Sequence, residues 1–153
     1  MRFNQQQPAP AGAMAELVLV RPHSVEPHSP SRIPEERPLS LEERSLIRWL
    51  LEHGEPEALR FLPQLAEAQV VARCGCGCAS IDLAVGGRVG TPRSMDILSD
   101  YLWRDADNHL FGAFVFAHEQ LLAGLDLWSV DGEATAATLP KPEQLTPMAT
   151  PKV

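Results

Sequence analysis

The residues with the clearest chemical potential are three cysteines within five positions, Cys74-Gly75-Cys76-Gly77-Cys78. Sequences that favour strands lie on both sides of this segment, which predicts a β-hairpin with Gly75-Cys76-Gly77 as its loop. Cys74 and Cys78 would then face each other across the closing pair of the hairpin. Glycine permits the positive φ angles of a tight turn. The two facing thiolates could bind Zn²⁺, with Cys76 as a third ligand if the loop folds back.

Three interpretations of the cysteine segment remain open. Zinc is the one cofactor that the sequence suggests, but zinc takes four ligands, and zinc knuckles place two to four residues between their cysteines. The candidates for a fourth ligand are His53, His109, His118 and Asp82, and no spacing selects among them. Alternatively, the thiols could be redox-active or nucleophilic. They could also be small apolar residues of a glycine-rich hairpin.

Acidic residues are the second group that could carry function. The chain has 20 Asp and Glu against 13 Lys and Arg, and residues 39–139 alone have 15 acids and seven arginines, a net charge of −8. Such a field repels nucleic-acid phosphate and anionic lipid and attracts a basic protein. We therefore expect a protein partner with a basic surface, no nucleic acid and no membrane, although an acidic face also serves solubility. The candidate partner-binding residues are Asp82, Asp100, Asp105, Asp107 and Asp126.

Familiar catalytic and binding motifs do not occur in the sequence. The segment from Asp105 to Asn108 begins like a calcium loop, but Leu110 and Phe116 occupy the positions where that loop needs Gly and Glu, so we interpret it as a turn. There is no Gly-x-Ser-x-Gly or His-Glu-x-x-His motif, and the glycines of residues 86–91 are not followed by Lys-Ser/Thr. No catalytic residue is assigned, which favours a non-catalytic binding protein over an enzyme.

Two helices are predicted ahead of the cysteines. Ser40 and Glu43 have the spacing of a capping box, and apolar residues recur at helical spacing after them until Gly54. Gly54 is a suitable C-terminal stop. Pro56 suits the first turn of a second, shorter helix that runs toward Leu62.

After Ala68 the apolar pattern changes to the period of two that is typical of strands. We predict five strands, over residues 69–74, 78–85, 95–104, 109–117 and 121–130. The expected fold class is α+β, with the two N-terminal helices packed on one face of a mostly antiparallel sheet of about five strands. The other face of the sheet would carry polar residues and be partly wet.

Proline divides the chain into three regions. Seven of the 14 prolines lie in residues 1–38 and four in residues 140–153. Since proline removes a backbone donor, we predict a flexible N-terminal arm (1–38), a single domain (39–139) and a C-terminal tail (140–153). The apolar segment Leu17–Val20 could dock on a partner or be a chance run in the arm. Neither a secretory signal nor a membrane-spanning stretch is recognisable, so we expect a cytoplasmic protein.

Parts of the chain resemble a family of small, uncharacterised bacterial domains. The similar segments are Leu39–Leu51 with Gly54, Phe61–Leu65 and Cys76–Leu83. The later segments Ser129–Gly132 and Leu139–Leu145 are similar to the ending of many immunity proteins of bacterial toxin systems. The resemblance covers about residues 39–146 and implies a non-catalytic protein that binds and inhibits a partner. It assigns no site residue.

Overall fold

The computed structural model describes residues 31–148, which form one antiparallel sheet with two helical segments. In chain order the elements are strand β1 (Arg32–Pro38), helix α1 (Leu41–Glu52), a 3₁₀ segment (Pro56–Glu67), strands β2 (Ala68–Cys74), β3 (Ile81–Val85), β4 (Asp96–Arg104), β5 (Leu110–His118) and β6 (Leu121–Ser129), a 3₁₀ turn (Pro142–Gln144) and strand β7 (Thr146–Pro147). The strand order across the sheet is β1-β2-β3-β6-β5-β4-β7. No helix in this range is long and apolar enough to cross a membrane.

The predicted fold class, two N-terminal helices on a sheet of about five strands, is wrong. The described residues form seven strands, β1 precedes both helical segments, and the second segment is a 3₁₀ helix. The prolines of β1 led the prediction astray. Proline is tolerated in an edge strand because one side of that strand needs no ladder partner, and β1 pairs with β2 alone. The opposite edge strand, β7, also contains a proline.

The five strands predicted from the apolar alternation are all present, and their ends differ from the prediction by at most three residues. The sheet nevertheless extends beyond the predicted domain, residues 39–139, at both ends, because β1 and β7 lie outside it. Residues 1–30 of the predicted arm, which include Leu17–Val20, are outside the described residues.

The capping box predicted at the start of α1 is confirmed. Ser40 Oγ accepts the Glu43 N–H at 3.0 Å, and a Glu43 carboxylate oxygen accepts the Ser40 N–H at 2.9 Å. Arg37 of β1 donates to both carboxylate oxygens of Glu43 at 2.9 Å. This bidentate pair joins the edge strand to the helix, and such charge-assisted pairs are the strong ones among hydrogen bonds.

The sheet has two different faces. One, the covered face, packs against α1 and the 3₁₀ segment and forms the hydrophobic core with Leu46, Ile47, Leu50 and Leu51 of α1. The other, the open face, has no helix on it among the described elements. Cross-strand register places one row of side chains on this face: Asp100 is opposite Phe114, and Phe114 is opposite Asp126. Further members of the open face are Asp82, Phe116, His118 and Trp128.

Candidate thiol site and the acids of the open face

The three cysteines lie at the connection between β2 and β3. Cys74 ends β2, and its N–H donates to the Ser80 carbonyl at 3.2 Å. The prediction that Cys74 faces Cys78 is therefore wrong. Since β3 begins only at Ile81, Cys78 belongs to the loop and Ser80 takes the facing position. Gly77 has a φ of 100°, which the longer turn requires and which favours glycine.

The loop brings all three thiols together. The sulfur atoms of Cys74, Cys76 and Cys78 lie within 4.8 Å of one another, and none forms a disulfide. Cys74 Sγ is 2.8 Å from Cys76 Sγ, and Cys76 Sγ accepts the Cys78 N–H at 3.4 Å. Cys78 Sγ donates to Ser80 Oγ at 3.2 Å. The loop thus folds back far enough for Cys76 to join the other two cysteines, which a three-thiolate site requires.

The three thiols differ in exposure and in acidity. Cys74 is buried, Cys78 is half-buried and Cys76 is exposed. Burial, assisted by the hydrogen bond to Cys76, raises the pKa of the Cys74 thiol to about 12. Burial also acts against ionisation of Cys76, but hydrogen bonds from Cys74 and Cys78 outweigh it and hold the pKa of Cys76 below its ordinary value. Cys76 is therefore the thiol of the Cys74–Cys76 pair that ionises more readily, and it is the one open to solvent.

None of the four predicted candidates for a fourth ligand completes the thiol group. His53 follows α1, His109 lies in the β4–β5 turn, and His118 ends β5. Asp82 of β3 forms an ion pair at 3.5 Å with Arg32. Among the described residues, no histidine or acid has a ligand atom that joins all three sulfurs within 4.8 Å.

Two of the predicted partner-binding acids share one cation. Arg32, in edge strand β1, lies 3.5 Å from Asp82 and 3.4 Å from Asp126. Burial alone would lower the pKa of Arg32, but Asp82 and Asp126 raise it above its ordinary value. Burial raises the pKa of Asp82, although Arg32 opposes the shift. Sequence analysis missed Arg32 because its proline-rich neighbourhood was assigned to the arm.

The remaining predicted acids have other environments. Asp105 Oδ1 accepts the N–H groups of Asp107 and His109, both at 2.9 Å, which confirms the predicted turn. Asp105, Asp107 and His109 form a second group of potential ligand atoms within 4.8 Å, but these turn hydrogen bonds account for the placement of Asp105. Asp100 Oδ1 is buried without a hydrogen-bond partner, and burial raises the Asp100 pKa. The five acids thus lie in two places, the open face and the β4–β5 turn.

Comparison of the chain with protein-family models, with curated proteins and with solved structures found no match. The similarity to immunity proteins therefore stays a prediction made from the sequence. A function for this chain has to be argued from the geometry of its own residues.

Proposed function

We propose that the chain binds one thiophilic metal ion, Zn²⁺, through Cys74, Cys76 and Cys78. The observation that carries the proposal is the mutual distance of the three sulfurs, all within 4.8 Å. A Zn–S bond of about 2.3 Å in a tetrahedral site separates two sulfurs by about 3.8 Å. The distance of 2.8 Å between Cys74 Sγ and Cys76 Sγ would have to lengthen by about 1 Å on binding. Cys76 can make this movement because it is exposed and has a glycine on each side.

The type and charge of the ligands support a soft metal. Thiolates select Zn²⁺ or Cu⁺, whereas Mg²⁺ and Ca²⁺ prefer oxygen ligands. Arg32 is the cross-strand partner of Cys74, and its positive charge favours the thiolate form of that cysteine. A three-cysteine site leaves a fourth coordination position, which solvent or an external ligand reaches on the side of the exposed Cys76.

Partner binding through the acidic residues has weaker support from the geometry. Arg32 partly neutralises Asp82 and Asp126, while Asp105 is held by hydrogen bonds within its turn. Electrostatic steering of a basic protein by the net charge of −8 on residues 39–139 remains compatible with this arrangement. A basic partner, and inhibition of that partner, stay predictions from the sequence.

Metal titration of the reduced protein tests the proposal. Protein freed of metal under anaerobic conditions is titrated with Zn²⁺ against a colorimetric chelator, and with Co²⁺ to record the thiolate-to-cobalt absorption. We expect about one ion per chain and a cobalt spectrum typical of tetrahedral sulfur ligation. The variant C76S should weaken Zn²⁺ binding by at least about tenfold.

The matched control removes a ligand from the other group of potential metal ligands. In D107N the cysteines are untouched, so its Zn²⁺ affinity should equal that of the unmodified protein. A stoichiometry far below one, or an affinity that C76S leaves unchanged, would overturn the proposal. Circular dichroism of C76S checks that the variant folds. If no metal binds and iodoacetamide modifies Cys76 faster than a free thiol, the reactive-thiol interpretation replaces zinc binding.

A further inference from the structure

A cavity of about 350 Å³ lies on the open face, between the sheet and the loop that joins β3 to β4. Its volume is in the range of small-molecule sites, which are mostly apolar with a few convergent polar groups. Apolar side chains that line it include Val71, Val89, Met95 and Phe116. Its polar lining consists of Arg32, Asp82, His118 and Asp126. The cysteines do not line this cavity, so it is separate from the proposed metal site.

The loop over the cavity is fixed by specific contacts. His118 Nδ1 donates to the Ser94 carbonyl at 2.8 Å. Gly90 packs so closely on the end of β5 that a Cβ at this position would come within 2.4 Å of the His118 carbonyl oxygen. Gly86 and Gly87, at the start of the loop, have φ angles of 58° and 80°, which favour glycine. These contacts form one wall of the cavity before any ligand arrives.

The polar groups of the cavity do not balance one another in charge. Two carboxylates face one guanidinium, and with histidine counted as neutral the net charge is −1. Each carboxylate meets Arg32 through one oxygen, at 3.5 Å for Asp82 and 3.4 Å for Asp126. A carboxylate has about four lone-pair sites, so acceptor capacity remains on both. Their side chains are 30% and 29% exposed, which leaves them within reach of a ligand.

We propose that this cavity binds a small organic cation, a primary ammonium group on an apolar body. The ammonium donates hydrogen bonds to the unused carboxylate oxygens of Asp82 and Asp126 and supplies the missing positive charge. The apolar body contacts the walls formed by Val71 and Met95. Phe116 adds an aromatic ring close to the bound cation. A neutral molecule of the same shape would leave the carboxylates without this partner, so charge provides the specificity.

An NMR titration of the ¹⁵N-labelled full chain tests the proposal, with phenethylamine as the probe and 2-phenylethanol as its neutral counterpart. We expect amide shifts from the amine to concentrate at Asp82, Phe116, Asp126 and the loop residues 89–95. The alcohol should bind at least about tenfold more weakly, a difference of about 1.4 kcal/mol. Equal affinities for the two probes would overturn the proposal, and so would shifts centred outside the cavity.

Two pairs of variants separate this site from general attraction to an acidic protein. D82N should weaken phenethylamine binding at least about tenfold, whereas D107N, which removes the same charge from the β4–β5 turn, should leave it unchanged. V89K adds a positive charge at the mouth of the cavity, where Val89 is 64% exposed and replacement leaves the fold intact. V130K adds the same charge at an exposed position that does not line the cavity. Equal effects within either pair would overturn the proposal.

Discussion

The two faces of the sheet divide stability and chemistry between them. The covered face meets α1, whose Ile47, Leu50 and Leu51 are 0% exposed. On the open face, Ile97 is 41% and Trp128 is 38% exposed, and Asp82 and Asp126 lie nearby on Arg32. The ammonium cavity lies on the open face, and Cys74 of the thiol site is the register partner of Arg32. The comparison teaches that the covered face holds the chain folded while the open face is available for ligands.

Strand β6 shows how the sequence builds both faces at once. Leu125 and Leu127 point into the core, while Asp126 and Trp128 alternate with them on the open face. A shift of one residue in register would move Asp126 into the core, where an unpaired carboxylate is costly. The same alternation that fixes the fold therefore fixes the position of the candidate ligand-binding acids.

The largest expected effect comes from a cavity in the covered face. L50A should lower the free energy of unfolding by about 2–5 kcal/mol, because Leu50 is fully buried and the core cannot close the space it leaves. The open-face control I97A should cost less than about 1 kcal/mol, because Ile97 is already 41% exposed. Urea denaturation of both variants measures the difference. Similar losses for the two would contradict the division between the faces.

A smaller effect is expected where edge strand β1 is joined to the helix. E43Q should cost about 2 kcal/mol at neutral pH, because Glu43 is 8% exposed and accepts two hydrogen bonds from Arg37. E42Q, at the exposed neighbouring position, is the matched control and should cost little. The measurement is urea denaturation of both variants at pH 7. Equal losses would mean that the pair with Arg37 does not stabilise the junction.

The acid dependence of the same carboxyl provides a second measurement. Burial acts to raise the Glu43 pKa, but the hydrogen bonds from Arg37 outweigh burial and lower the pKa below the ordinary 4.5. A carboxyl with a lowered folded-state pKa adds stability above its unfolded-state pKa and loses it as the pH falls through the folded-state value. The stability difference between the unmodified protein and E43Q should therefore be full above pH 4.5 and shrink in more acidic solution. A difference that does not change with pH would contradict the ion pair.

Local features of this fold were predictable from the sequence, whereas long-range features were not. The capping box of Ser40 and Glu43 and the five central strands depend on short spacings and apolar alternation. Edge strands β1 and β7 escaped prediction because their prolines indicate loops unless the neighbouring strand is known. The grouping of the cysteines was predictable from spacing. The meeting of Arg32 with Asp82 and Asp126 was not, since it depends on the order of the strands.

The smallest expected effect is a gain of stability on the open face. Asp100 Oδ1 is buried without a hydrogen-bond partner, so D100N should raise the free energy of unfolding by about 1 kcal/mol at pH 7. Burial raises the Asp100 pKa, and a carboxyl with a raised folded-state pKa costs stability as the pH rises through that value. The gain should therefore be present at pH 7 and disappear below the ordinary pKa of 3.8. Urea denaturation at both pH values, with D107N as the control, measures it. If D100N instead destabilises the protein at pH 7, the Asp100 carboxylate has a stabilising partner, and the open face contributes more to stability than the comparison of the two faces allows.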